Sequence, residues 1–128
     1  TDQSIFDNRA TDGSAGGLWF GIAGTSNKLR VYTNAAQLLL ASSAMSATTW
    51  THCALVRSGS TLTIYMNGIN IASGSLSANL SDGVLRIGLT YASAAAPLNG
   101  YIDDLRITKG VARYVANFTP PTSQLQDQ

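Results

Sequence analysis

The residues of this chain that could do chemistry are few, and their spacing works against it. Carboxylates come only from seven aspartates, because the 128-residue sequence contains no glutamate. Two of them, Asp103 and Asp104, are adjacent. Glycoside hydrolysis needs two carboxyls at a set separation across the sugar, one as acid and the other as base or nucleophile. On an extended strand neighbouring side chains project to opposite faces, so Asp103 and Asp104 do not form such a pair. Asp104 is expected to serve architecture instead, satisfying a turn or pairing with an arginine such as Arg106. His52 and Cys53, the one histidine and the one cysteine, are also neighbours, and a strand points them apart. A nucleophile–base dyad needs both within hydrogen-bond reach. One His and one Cys are too few for a zinc centre. No Gly-x-Ser-x-Gly elbow and no Walker or dinucleotide glycine pattern occurs, which removes the common signatures of acyl and phosphoryl chemistry. The catalytic set is therefore empty, and the chain reads as a non-enzyme.

Binding chemistry is better supplied. A sugar site needs an exposed aromatic platform beside amide or carboxylate groups. Trp19, Tyr91 and Tyr114 are the candidate platforms, with Asn27, Asn79 and Asn99 as polar partners. Core packing is the competing role: Trp19 lies within Leu-Trp-Phe-Gly-Ile, one face of which must be buried, and Trp50 begins the best strand. Loops carry binding on rigid scaffolds, so Ala10–Gly17 and Tyr91–Pro97 are the loops of interest.

The elements that would position these groups are strands. Strong helix formers are scarce, with no glutamate and two lysines, while β-branched and aromatic residues recur in short runs. Candidate strands are Ser4–Asp7, Leu18–Ala23, Lys28–Thr33, Gln37–Ala41, Trp50–Ser58, Thr61–Asn67, Ile69–Ser73, Val84–Leu89 and Gly100–Thr108. Turn-forming pairs such as Asp12-Gly13, Ser26-Asn27, Asn67-Gly68 and Asp82-Gly83 separate them at the even spacing of an all-β sandwich. Asn67-Gly68 predicts a tight primed turn. In Gly100–Thr108 the alternation puts Tyr101, Asp103, Leu105 and Ile107 on one face and Ile102, Asp104, Arg106 and Thr108 on the other. The spacing of Val111–Phe118 is irregular, and Pro120-Pro121 closes the domain, giving one domain over 1–122 and a polar tail or linker at 123–128.

Charged residues make up 12% of the chain and the net charge is +1, about half the usual ~25%. That leaves no basic footprint for nucleic acid, and no apolar run approaches the ~18 residues of a membrane span. With Cys53 alone there is no intrachain disulfide.

Three stretches carry a resemblance. Gly-Tyr-Ile-Asp-Asp-Leu-Arg-Ile, from Gly100, resembles the last long strand of laminin-G-like, concanavalin A-type jelly rolls. Trp-Thr-His-Cys-Ala-Leu-Val-Arg-Ser-Gly-Ser-Thr-Leu-Thr-Ile-Tyr-Met-Asn-Gly, from Trp50, is similar to the hairpin of that family, with Cys53 where valine is usual. Leu85–Gly88 matches a Leu-x-Ile-Gly strand, and together these span about residues 50–119. Ser4–Asp7 resembles an Ile-Phe strand near the start of such domains. The family usually has a further Phe-Thr-Ile-Glu-Ala/Phe-Trp-like strand before it. Its absence here implies open edges and an uncovered face, to be completed by a longer chain or by strands from another chain.

The resemblance implies an antiparallel two-sheet β-sandwich of jelly-roll type. Glucanases of this fold use a Glu-x-Asp-x-x-Glu motif, which a chain without glutamate does not possess. Relatives often hold Ca²⁺ at the rim through Asp/Asn and carbonyl oxygens, which makes Asp7, Asp12 and Asp82, with Asn27 and Asn99, the candidate ligands if a cation is bound; otherwise no cofactor is expected. The Gly-Val-Ala-Arg-Tyr extension from Gly110 resembles the variant common in phage and bacterial surface proteins. It implies a structural or binding module of a virion or cell surface (tail fibre, capsid decoration or adhesin), with other virion or surface chains, copies of itself and host glycans as partners. The alternative is an autonomous carbohydrate-binding module of a secreted protein.

Overall fold

The structure, a computed structural model, describes residues 1–81, 83–92 and 95–126. Eight strands follow in chain order: β1 (Gln3–Asp7), β2 (Trp19–Ala23), β3 (Lys28–Thr33), β4 (Ala36–Ala44), β5 (Cys53–Ser58), β6 (Thr61–Met66), β7 (Ile69–Ser75) and β8 (Arg86–Ile87). They make two antiparallel sheets, one of order β4-β3-β2-β1-β8 and one of order β5-β6-β7. The chain is the all-β sandwich that its composition predicts. No helix of the described residues is long and apolar enough to cross a membrane.

Alternation decides which face each strand buries. In β3, Leu29, Val31 and Thr33 point inward and are buried, while Lys28, Arg30 and Tyr32 point out and are half-buried. In β6, Leu62 and Ile64 do the same from the opposite sheet. The core between them gathers Leu18, Phe20, Leu39, Ala41 and Leu76 around these four. Full burial of each large aliphatic contributes roughly 1.5–3 kcal/mol. The sheets meet at one side where β4 packs on β7, with Leu39 against Gly74.

Short connections fix the register. β5 and β6 are joined by Gly59-Ser60, with Ser58 opposite Thr61. The Asn67-Gly68 turn has φ of 50° and 81°, the two positive angles of a primed turn, whose twist matches that of the flanking strands. A second turn of this kind joins β3 to β4 at Asn34 and Ala35, with φ of 48° and 54°.

Two predicted strands are corrected. Val84–Leu89 contracts to the two residues of β8, and Gly100–Thr108 is not a strand. Among the described residues, no backbone hydrogen bond joins 100–108 to other backbone, and Asp104 turns to a φ of 54°. Alternation specifies which side chains share a face, but a strand forms only against a neighbour, and no described strand is hydrogen-bonded to this segment. The alternating faces expected for Asp103 and Asp104 go with it; Asp104 instead accepts a 2.8 Å bond from the Leu125 amide. The hairpin also begins later than expected, at Cys53, leaving Trp50 69% exposed and outside the core.

The chain past β8 crosses from one sheet to the other. The Asn99 amide donates to Gln3 Oε1 of β1, and beyond Gly110 the chain lies on the outer face of the smaller sheet. There the Phe118 amide donates to the Gly68 carbonyl, and the Tyr114 and Phe118 rings stack at 3.6 Å.

Candidate functional site

The outer face of the larger sheet carries the densest polar chemistry, and strand register assembles it. Asp7, Trp19 and Tyr32 pair across β1, β2 and β3, and Ser4, Gly21 and Arg30 form the adjacent row. All six project away from the core. The Trp19 indole lies down over Gly21, where a Cβ would fall 2.4 Å from the ring, and its Nε1 donates to Ser4 Oγ. Only glycine admits that approach.

Arg9, just past β1, organises one end. Its Nε and Nη2 donate to the two oxygens of Asp7 at 3.0 Å each, and its Nη1 donates to Asp12 at 2.8 Å. Asp7 also accepts from the Arg9 and Tyr91 amides, so four N–H groups hold one fully buried carboxylate. Such bidentate, charge-assisted geometry is the condition under which a buried pair is tolerated. Burial disfavours the charge on Arg9, yet the bonds and charges of Asp7 and Asp12 outweigh it and raise its pKa. The guanidinium lies 5.6 Å from the Tyr32 ring centre and 5.2 Å from that of Tyr91, within cation–π range.

Arg30 organises the other end. It pairs with Asp2 and stands 5.3 Å from the Trp19 ring and 5.8 Å from Tyr32. Its Nε is shielded from solvent and has no hydrogen-bond partner among the described residues. Between the two arginines opens a cleft of about 390 Å³, walled by Asp2, Asp12, Trp19 and Tyr32 and closed by Thr90 and Ala96. The Ser4 amide donates to the Ala96 carbonyl, drawing the loop over β1. The volume lies at the lower end of the ~300–1,000 Å³ of small-molecule sites.

The structure brings Trp19, Tyr91, Asp7 and Asp12 of the sequence-derived candidates to this one place, beside both expected loops. Trp19 is a wall and not an open platform, at 3% exposed. Tyr114 lies on the opposite side of the molecule, against Phe118. Asn27 holds the β2–β3 turn at φ 53°, its amide donating to Ala23 and its carbonyl accepting from Met45. Asn79 is exposed after β7, and Asn99 ties its loop to Gln3. Asp82 lies outside the described residues. Among the described residues no three His, Cys, Asp or Glu side chains converge as a metal centre; at Asp7 the cation is the Arg9 guanidinium. Arg9, Arg30, Tyr32 and Asp2 line the cleft as well, and residue type alone does not single them out. The β3 alternation that sends Leu29 and Val31 inward was the available signal for Arg30 and Tyr32.

On the other outer face, His52 packs edge-on to Tyr114 and Phe118 at 6.4 and 5.5 Å. Burial lowers its pKa, and the charge of Arg106 lowers it further. Its Nδ1 is buried and has no hydrogen-bond partner among the described residues. Burial pushes the Cys53 thiol up to about 11, so it is a packing residue and no nucleophile at neutral pH.

Among known proteins, no curated protein matches the chain. A solved structure of an S-layer domain-containing protein from Clostridium thermocellum (residues 221–444) is similar at 26% identity and a TM-score of 0.46, over 84% of this chain. The chain spans 57% of that structure's length. With residues 1–113 matching the Laminin_G_3 family, and two antiparallel sheets closing over one core, the chain belongs to the concanavalin A-like lectin/glucanases superfamily.

Proposed function

We propose that this domain is a non-catalytic binding module displayed on a surface, that of a virion in the first instance, and that it takes a neutral saccharide in the cleft between Arg9 and Arg30. The cleft carries the proposal. It offers carboxylate acceptors and guanidinium donors at opposite ends of an aromatic wall, which suits a ligand that both donates and accepts hydrogen bonds around an apolar ring. The charged side chains that line the cleft, Asp2 and Asp12 against Arg9 and Arg30, balance to zero, which favours a neutral ligand over an ionic one. Membership of a superfamily of lectins and glucanases supports saccharide binding, and the absence of glutamate supports binding without hydrolysis. The Ser/Thr/Ala-rich, weakly charged surface and the Gly-Val-Ala-Arg-Tyr stretch support the virion or cell-surface setting.

A glycan array with the full chain tests the site. Saturable binding is expected, lost in Arg30→Gln and Tyr32→Ala with the fold intact, and retained in Tyr114→Ala on the far face. Binding unaffected by both cleft variants, or no binding to any glycan, would sink the assignment. Antibody labelling of intact particles, as opposed to free protein in the medium, separates the virion setting from a secreted carbohydrate-binding module.

A further inference from the structure

The β3–β4 turn holds a conformation that alanine rarely takes, and its hydrogen bonds lead to the cleft. Asn34 and Ala35 stand at φ 48° and 54°, a left-handed backbone that crowds the Cβ of an ordinary residue. Glycine and asparagine are the usual occupants of such positions, so Ala35 keeps this φ only because its surroundings hold it there. The Ala35 amide donates to the Asp12 carbonyl at 2.8 Å, and the Asn34 amide donates to the Ser14 carbonyl at 3.1 Å. One residue earlier, Thr33 Oγ1 donates to the Gly17 carbonyl at 2.6 Å. The Ala35 carbonyl in turn accepts from the Tyr32 hydroxyl at 2.8 Å. A single residue thus grips two walls of the cleft, the backbone of Asp12 and the phenol of Tyr32.

We infer that this turn is the positioning element of the cleft, with Ala35 fixing Asp12 where it reads a hydroxyl of the ligand. The inference rests on the saccharide reading of the cleft. The two carboxylates at its ends are not equivalent. Asp2 has both oxygens engaged, Oδ1 with the Gly24 amide and Oδ2 with Arg30. Asp12 is 54% exposed and gives Oδ1 to Arg9 Nη1, while its Oδ2 accepts no hydrogen bond among the described residues. Asp12 Oδ2 is therefore the acceptor left over for a ligand hydroxyl. A carboxylate on a loose loop loses conformational freedom when it binds, and one already fixed does not. Left-handed φ at both turn residues aims successive amides at the 12–14 backbone, and a change of φ at Ala35 would re-aim them. Geometry of this kind, set by supporting residues that do not touch the ligand, decides whether a site is tight or loose.

Amide hydrogen exchange and glycan affinity, measured on the full chain for one set of variants, test this. Ala35→Gly accepts the same φ and keeps the amide, so loop exchange and affinity are both expected to stay at wild-type values. Ala35→Pro removes the N–H and forces φ negative. Amides of residues 11–17 are then expected to exchange roughly tenfold faster, with affinity falling by about as much. Thr33→Val is close in shape and removes only the side-chain bond to Gly17. It is expected to give a smaller change of the same sign, about two- to tenfold, and it keeps the test decisive if proline unfolds the hairpin. Asp12→Asn retains an oxygen for Arg9 and replaces the free acceptor with a donor. Its affinity is expected to fall roughly tenfold or more with loop exchange unchanged. Affinity that does not track loop exchange across the three turn variants would overturn the proposal, as would Asp12→Asn binding like wild type. So would a loop whose exchange is indifferent to both Ala35→Pro and Thr33→Val. A wild type that binds no glycan, while those two variants still loosen the loop, would count against the saccharide reading alone and uphold the turn as the brace of the cleft.

Discussion

On the outer face of the larger sheet, Arg9 sits between two aspartates and two tyrosine rings supplied by β1, β3 and the two adjoining loops. On the outer face of the smaller sheet, His52, Tyr65, Tyr114 and Phe118 pack edge to face and face to face beneath a segment without regular structure. The first face is held by charge in fixed geometry, the second by ring contacts that tolerate sliding. Directional bonds to a buried charge fail abruptly when one partner is removed, because the remaining charge is stranded. Ring contacts fail by degrees, since each lost contact subtracts only its own share. A face locked by charge suits a preformed cleft; a face covered by a strap suits a segment that can be exchanged or rearranged.

The largest effect should therefore come from Asp7. Asp7→Ala strips Arg9 of its bidentate partner inside the fold and is expected to destabilise the domain by about 3–5 kcal/mol. Asp12→Ala removes the other carboxylate from the same guanidinium, yet Asp12 is 54% exposed, so solvent takes its place at roughly 0–1 kcal/mol. Urea unfolding of both variants measures the contrast. Equal losses would show that the cluster is not organised around a buried charge.

Phe118→Ala should follow. Its ring stacks on Tyr114 and meets Tyr65 at 5.4 Å and His52 at 5.5 Å, but it is only half-buried. The expected loss is about 1–2 kcal/mol, below the ~3–5 of a fully buried phenylalanine. Limited proteolysis should then cut first within 100–126 while the core strands resist. A uniform loss of protection across both sheets would instead make this strap part of the cooperative core.

What the sequence makes legible follows the same division. β1 to β7 are readable because turn residues bound them and each lies beside a neighbour in the chain; β3, which also alternates cleanly, matches its predicted bounds at Lys28–Thr33. The Asn34-Ala35 turn escapes notice because alanine seldom takes a positive φ. The Gly100–Thr108 strand fails for a non-local reason, since whether a strand pairs depends on a neighbour that its own residues do not encode. At the site, the loops and the aromatic candidates Trp19 and Tyr91 are visible from residue type. The Arg9–Asp7 lock is not, because arginine and aspartate two residues apart ordinarily read as solvated surface. It takes the Asp7–Trp19–Tyr32 row, a product of register across three strands, to bury them together.

The smallest effect, and the one that probes the strap alone, is titration of His52. Its unfolded value is 6.5, and burial followed by the Arg106 charge lowers it in the fold. Between the lowered value and 6.5 the unfolded chain binds more protons than the folded one, so stability rises with pH through that window and is lost as pH falls. Above it both states are neutral and His52 contributes no slope. His52→Gln is expected to remove this part of the slope, and the difference between variant and wild type separates it from the carboxylates that titrate lower. As the one histidine of the chain, its ring proton gives a single NMR titration. Arg106→Ala should move that midpoint part of the way back toward 6.5, because burial, the larger cause, stays in place. A midpoint at or above 6.5 in wild type would mean that the strap leaves His52 in water, and that the two faces differ far more in order than in the kind of contact that holds them.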